Sequence, residues 1–109
     1  MIGKKINNKI VNQLLAIIIN IANPDKVILF GSHARGDAGE ESDYDFIILK
    51  RNIINERDVT RPIYRELCEK SIPVPVELIA CSFEKWESNL KKSYMIYKKA
   101  NEEGIVLYG

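Results

Sequence analysis

The chain has 109 residues, 46% of them hydrophobic and 28% charged, a globular composition large enough for one core and one cleft. Sixteen Lys+Arg against fifteen Asp+Glu leave a formal net charge of +1. That balance excludes a basic nucleic-acid coat or an acidic tail and argues against direct nucleic-acid binding, so a nucleotide would have to be held by a local site. Two cysteines, Cys68 and Cys81, make no disulfide framework and read as free buried thiols of a cytoplasmic protein.

Taken in chain order, Ile6, Ile10, Leu14, Ile17, Ile18 and Ile21 recur at helical spacing, and Leu15 and Ile19 widen the stripe. Lys4, Lys5 and Lys9 before the apolar run 14–22 resemble a signal peptide, but Asn20 interrupts the run and no small-residue cleavage site follows. The run is also too short to span a bilayer, so no membrane partner is expected. Asn23, Pro24 and Asp25 stop the helix. Residues 26–30 are a short apolar strand ended by Gly31, and 31–42 form a polar loop with one helical turn. A second strand spans 43–49. Residues 52–70 are helical in composition, with Pro62 in a first turn or marking a break. The third strand covers 74–81, and Pro73 and Pro75 put its start at a sheet edge. Ser82 caps a helix through Trp86 and Leu90; a further helical stretch, 93–103, is capped by Gly104, and 105–108 form a last strand. Trp86, Tyr94 and Tyr97 read as core or interface, and Lys91, Lys92, Lys98 and Lys99 as a solvated helix face. The alternation predicts a single α/β (α+β) domain over 1–109, a small mixed sheet flanked by helices.

The chemistry concentrates in the stretch 29–46, LFGSHARGDAGEESDYDF. Gly31 and Gly36 have the spacing of a P-loop, but Asp37 stands where lysine is needed. Glycine at the end of a buried strand lets a ligand or another backbone come close. Ser32, opening a helical turn, offers free amides and a hydroxyl to an anion, and Arg35 a bidentate phosphate contact. His33 is a loop residue near these groups, not a base. Asp43 and Asp45, two apart on a strand, leave on one face, with Phe46 and Ile48 on the alternate positions. Carboxylates that close repel unless a cation joins them, and an all-oxygen set favours Mg²⁺. Glu77 lies among Val74, Val76, Leu78 and Ile79, an odd place for a charge without a task. Three carboxylates on adjacent strands beside an anion site make a two-metal phosphoryl-transfer site.

Gly31-Ser32, ten residues, then Asp43-x-Asp45 resembles the signature of the DNA polymerase β nucleotidyltransferase superfamily, and the full run looks like its minimal nucleotidyltransferase group. The resemblance covers most of the chain and is most specific between Gly31 and Asp45. It implies that Gly31 and Ser32 hold the triphosphate of ATP, that Asp43 and Asp45 bind two Mg²⁺ ions, and that Glu77 matches the third carboxylate. Aspartate is frequent at that third place, and glutamate reaches one methylene further. Larger relatives carry a helical acceptor domain after this core. Minimal nucleotidyltransferases are similar to antitoxins that pair with HEPN-type toxins, and some transfer AMP to a toxin tyrosine. The expectation is therefore an Mg²⁺-dependent transferase of AMP onto a partner HEPN toxin. The alternatives are a non-catalytic antitoxin that acts by complex formation and a small-molecule nucleotidyltransferase completed by a partner subunit. The apolar first helix, with Trp86, Tyr94 and Tyr97, exceeds what a small sheet covers and points to a homo-oligomer or a toxin interface.

Overall fold

The computed structural model describes residues 8–39, 41–72, 74–91 and 95–109; Ile6, Lys92 and Tyr94 lie outside them, and the side chains of Tyr97 and Lys99 are likewise not described. Nine elements follow in order among the described residues: α1 (Lys9–Ala22), β1 (Lys26–Phe30), α2 (Ser32–Arg35), β2 (Tyr44–Leu49), α3 (Glu56–Glu69), β3 (Val76–Cys81), α4 (Phe83–Lys91), α5 (Met95–Glu103) and β4 (Ile105–Tyr108). The strands form one mixed sheet in the order β3-β2-β1-β4. β1 is antiparallel to β2 and to β4, whereas β2 and β3 run parallel. A parallel pair needs a crossover longer than a hairpin, and α3 supplies it.

Local chemistry sets the element ends. Asn8 caps α1 by accepting the Ile10 and Val11 amides at 2.9 and 3.1 Å, and Asn23 ends it in the left-handed region at φ 47°. Asn55 caps α3 through the Arg57 amide at 3.0 Å. The predicted helix over 52–70 therefore starts later, and Pro62 is not in its first turn. It sits inside a continuous α3 on the exposed side, where water can take up the carbonyl that its missing N–H leaves without a donor. Pro75 precedes β3, and its carbonyl accepts the Tyr44 amide at 2.9 Å, so the third strand begins at Val76. As expected, β3 is an edge strand. Ser82 Oγ accepts the Lys85 amide at the start of α4. Gly104 donates to the Ala100 carbonyl at 2.9 Å. A Cβ there would collide with that carbonyl and with Ile28, so glycine is needed for close approach of α5 to β1.

Alternating strand residues feed two apolar layers. Val27, Leu29, Phe46, Ile48 and Leu78 pack under α1 and α3 with Leu14, Ile18, Ile63 and Leu67. Ile28, Phe30, Ile47, Leu49 and Cys81 pack on the other face with Trp86 of α4 and Ala100 of α5. Trp86 is thus core. Cys81 is buried but Cys68 is exposed on α3, contrary to the reading of both as buried thiols. Among the described residues no helix is long and apolar enough to cross a membrane.

Candidate functional site

The sheet brings the sequence-predicted carboxylates together at the N-terminal end of β2. Asp43 precedes the strand and Asp45 is its second residue. In the parallel register Asp45 sits opposite Glu77 of β3 and, in the antiparallel one, opposite Phe30 of β1. Ligand oxygens of Asp43, Asp45 and Glu77 all lie within 4.8 Å of one another. Asp43 and Glu77 are exposed, and Asp45 is half-buried between them and the sheet. That position has an electrostatic signature. Burial, then the charges of Glu77 and Asp43, push the Asp45 carboxyl up to about 6 from its ordinary 3.8, against weaker opposing pulls from His33 and Arg35.

Gly31 joins this cluster to β1. Its backbone lies at φ 76° and ψ −159°, a region nearly closed to other residues. A Cβ on Gly31 would also overlap Asp45 Oδ2. Glycine is therefore required twice, by the turn and by the carboxylate beside it. The next residues make the short α2. The Gly31 carbonyl accepts from Ala34 and Arg35, both at 3.1 Å, and the Ser32 carbonyl from Gly36 and Asp37 at 2.9 and 3.1 Å. The amides of Ser32 and His33 precede the first bonded donor, and so have no acceptor within the turn.

Two residues make contacts that their reading in sequence did not include. Arg35, expected to face a phosphate, pairs instead with Asp37 at 3.2 Å and with Glu103 at the end of α5 at 3.1 Å. His33 does not stand free near the turn. Its ring stacks on Tyr44 with centroids 3.6 Å apart and planes 12° from parallel, and its Nε2 lies 3.0 Å from the Ser42 carbonyl. The ring thereby ties α2 to both residues flanking Asp43. Sequence reasoning missed this tie and Glu103. The first joins residues of one loop with no periodicity, and the second is 68 residues away from Arg35. A separate concavity of about 300 Å³ lies beyond the other end of β2, lined by Lys50, Ile54, Val59 and Pro62 among others. It holds none of the three carboxylates, so the carboxylate cluster and this concavity are at different ends of the strand.

The donor set is chemically suited to a hard divalent cation. It offers oxygen alone, carries up to three negative charges, and raises the Asp45 pKa in a way that a cation would relieve.

Comparison with known proteins finds the same architecture elsewhere. Residues 12–109 match the family described as polymerase beta, nucleotidyltransferase. MJ0604, a candidate protein adenylyltransferase of Methanocaldococcus jannaschii, is 38% identical over 86 residues, covering 76% of this chain and 77% of that protein. A second candidate protein adenylyltransferase of that organism, MJ0141, is 62% identical over 29 residues, 27% of this chain and 29% of that one. Among solved structures, a chain in a toxin-antitoxin crystal structure with AMP-PNP superposes with a TM-score of 0.61 at 20% identity, covering 95% of this chain and 74% of the other. A chain in a mutant of the toxin-antitoxin MntA-HpeT gives 0.62 at 14% identity, over 90% and 71%. At those identities the two crystal structures speak for the fold.

Proposed function

The chain belongs to the polymerase β nucleotidyltransferase family, and on that premise we propose that it moves AMP from Mg²⁺-bound ATP to a tyrosine hydroxyl of a partner HEPN-type toxin, and so acts as an antitoxin. The observation that carries this reading is the meeting of Asp43, Asp45 and Glu77 at the start of two neighbouring parallel strands, beside a glycine required by both the turn and the Asp45 carboxylate. The candidate protein adenylyltransferases support a protein acceptor in this reading, and the toxin-antitoxin neighbours support a toxin as that partner.

Asp43, Asp45 and Glu77 would hold two magnesium ions. When bound, these lower the pKa of the incoming hydroxyl and neutralise the departing pyrophosphate. The Ser32 hydroxyl and the amides of Ser32 and His33 orient the β- and γ-phosphates, so that the leaving group lies in line with the attack. The tyrosine oxygen bonds to the α-phosphorus as the bond to the bridging oxygen breaks and pyrophosphate leaves. Glu77, exposed on the edge strand, accepts the hydroxyl proton. For Arg35 to reach a phosphate it must give up Asp37 or Glu103. In this reading residues 1–109 act as one cytoplasmic nucleotidyltransferase unit.

The test is mass spectrometry of a co-expressed HEPN-type partner after incubation with ATP and Mg²⁺. The expected result is a mass gain of one or more AMP units, lost in Asp43→Asn and Asp45→Asn, each of which removes several kcal/mol of transition-state stabilisation. A partner silenced by the wild-type chain without any mass gain would instead favour neutralisation by complex formation. Glu77→Gln transferring at the wild-type rate would remove Glu77 from the site.

A further inference from the structure

Two carboxylates share the guanidinium of Arg35. Its Nε donates to Asp37 at 3.2 Å and its Nη1 to Glu103 at 3.1 Å. Asp37 lies two residues along the same loop, whereas Glu103 comes from the end of α5, 68 residues away. That end is anchored. Gly104 donates to the Ala100 carbonyl, and only glycine fits between that carbonyl and Ile28 of β1. The arginine is the movable partner, a long side chain on the single turn of α2. The side chains of Arg35 and Glu103 are 39% and 37% exposed, so water can receive either one when the pair opens.

Glu103 stands across β1 from the carboxylate cluster. The strand order is β3-β2-β1-β4, and Asp43, Asp45 and Glu77 belong to the β2–β3 side. Glu103 lies two residues before Ile105, the β4 residue that pairs with Leu29 of β1. Neighbouring strands are about 4.8 Å apart, so β4 is about 10 Å from β2. The Gly31–Ser32 turn, which continues β1, lies between them. Glu103 therefore draws the guanidinium toward the β4 flank. The Asp45 carboxyl registers this placement: of the charged groups that shift it, Arg35 acts least.

The two carboxylates differ in what they block. A guanidinium grips a phosphate end-on through its two terminal nitrogens. Glu103 holds Nη1, one of that pair, whereas Asp37 holds Nε and leaves the end open. Ser32 and Arg35 are three residues apart on α2, about 4.5 Å along its axis, so an anion on the Ser32 turn is within reach of the arginine. A triphosphate carries more charge than one carboxylate and fills the fork, while an exposed ion pair contributes little net stability. The exchange favours the phosphate and leaves no charge stranded in the interior. We infer that Glu103 is a positioning residue for nucleotide: it holds Arg35 back on the β4 flank, competes with the triphosphate for this one guanidinium, and so sets nucleotide affinity below what the site would otherwise reach. The inference rests on the Ser32 turn as the triphosphate site in the reading above; it does not need a protein acceptor.

The test is calorimetric titration of the full chain with Mn²⁺–ATP, for the wild type, Glu103→Gln, Arg35→Ala and the double variant R35A/E103Q. Glutamine keeps the shape of the glutamate and removes its charge. Glu103→Gln should bind about two- to fivefold more tightly than wild type, the worth of an exposed ion pair. Arg35→Ala should bind about tenfold more weakly, with unchanged circular dichroism. The double variant should match Arg35→Ala, because Glu103 acts only through Arg35. Glu103→Gln binding as wild type does, or more weakly, overturns the inference. So does an unchanged affinity in Arg35→Ala. An equal gain from Glu103→Gln with and without Arg35 also overturns it, since that is the general effect of removing a negative charge near an anion. Adding the HEPN-type partner separates this inference from the transfer reading. The expected affinities without AMP incorporation support the role of Glu103 and count against transfer. AMP incorporation with equal affinities for wild type and Glu103→Gln does the reverse.

Discussion

On one face of β2, Phe46 and Ile48 are fully buried beneath α1 and α3; on the other, Ile47 and Leu49 are buried as completely, yet the series ends in Asp45, which is half-buried between Glu77 and Gly31. The two faces share one strand, one pleat and nearly one degree of burial over most of their length. They part only at the N-terminal end. There the face toward α1 and α3 is sealed by Tyr44, itself stacked on His33, while the opposite face presents charge. A strand can therefore be core on both sides and still deliver a carboxylate, provided the carboxylate takes the last position before the sheet opens to solvent.

The contrast breaks most visibly by mutation on the sealed face. Phe46→Ala should cost about 3–5 kcal/mol of stability in urea denaturation, because the side chain is fully buried and its neighbours cannot close the cavity. Asp45→Asn, one residue away, should cost none. A loss below about 1 kcal/mol for Phe46→Ala would mean that the layer under α1 and α3 is loosely packed.

Gly31→Ala tests the boundary between the faces. The backbone strain alone should cost about 1–3 kcal/mol, and the added methyl must also displace the Asp45 carboxylate. Mn²⁺ affinity, measured by electron paramagnetic resonance, should fall together with stability. A variant that loses stability but binds Mn²⁺ as before would show that Asp45 does not need its present position.

A smaller effect is expected at Ser32. Ser32→Ala removes one hydroxyl donor and should weaken Mn²⁺–ATP binding by about 1 kcal/mol in calorimetry, with the fold intact. An unchanged affinity would leave phosphate binding to the backbone amides alone.

The smallest expected change sharpens the comparison through pH. Asp45 titrates near 6 in the fold against an ordinary 3.8, so the native state holds this proton more tightly than the unfolded one. Its contribution to stability is fully present below about 3.8 and is lost as the pH rises through about 6. Asp45→Asn removes that dependence. Its melting temperature should exceed that of wild type at pH 7 to 8 and converge with it toward pH 4, after allowance for the common background. Saturating Mg²⁺ should raise the wild type and not the variant. A variant less stable than wild type at pH 8 without metal would contradict burial and like-charge repulsion as the source of the shift.

Much of this was legible in residue order because it depends on short-range patterns. The helical spacing of Leu14, Ile17, Ile18 and Ile21 and the apolar runs of β1 and β2 report period and burial directly. Asp43 and Asp45 lie on one strand face by the pleat alone. Helix starts were less legible, since the residues before Asn55 have helical composition but the cap decides where bonding begins. Pro62 misled for a related reason: a proline on the solvent side of a packed helix loses one bond without breaking it.

By itself the sequence determined the element order, the burial of β1, and the pairing of a glycine-serine turn with two aspartates at strand spacing. These follow from local sterics and from the periods of helix and strand, which need no partner. Only the tertiary structure decided that Glu77 lies opposite Asp45, since register between parallel strands is set by the packing of α3 across them. It also decided that Arg35 is held by Asp37 and Glu103, and that His33 stacks on Tyr44 to hold the loop around Asp43. Those contacts join residues whose separation carries no periodicity. Their geometry exists only once the sheet has closed and brought α2, α5 and the β2 entry to the same end of the molecule.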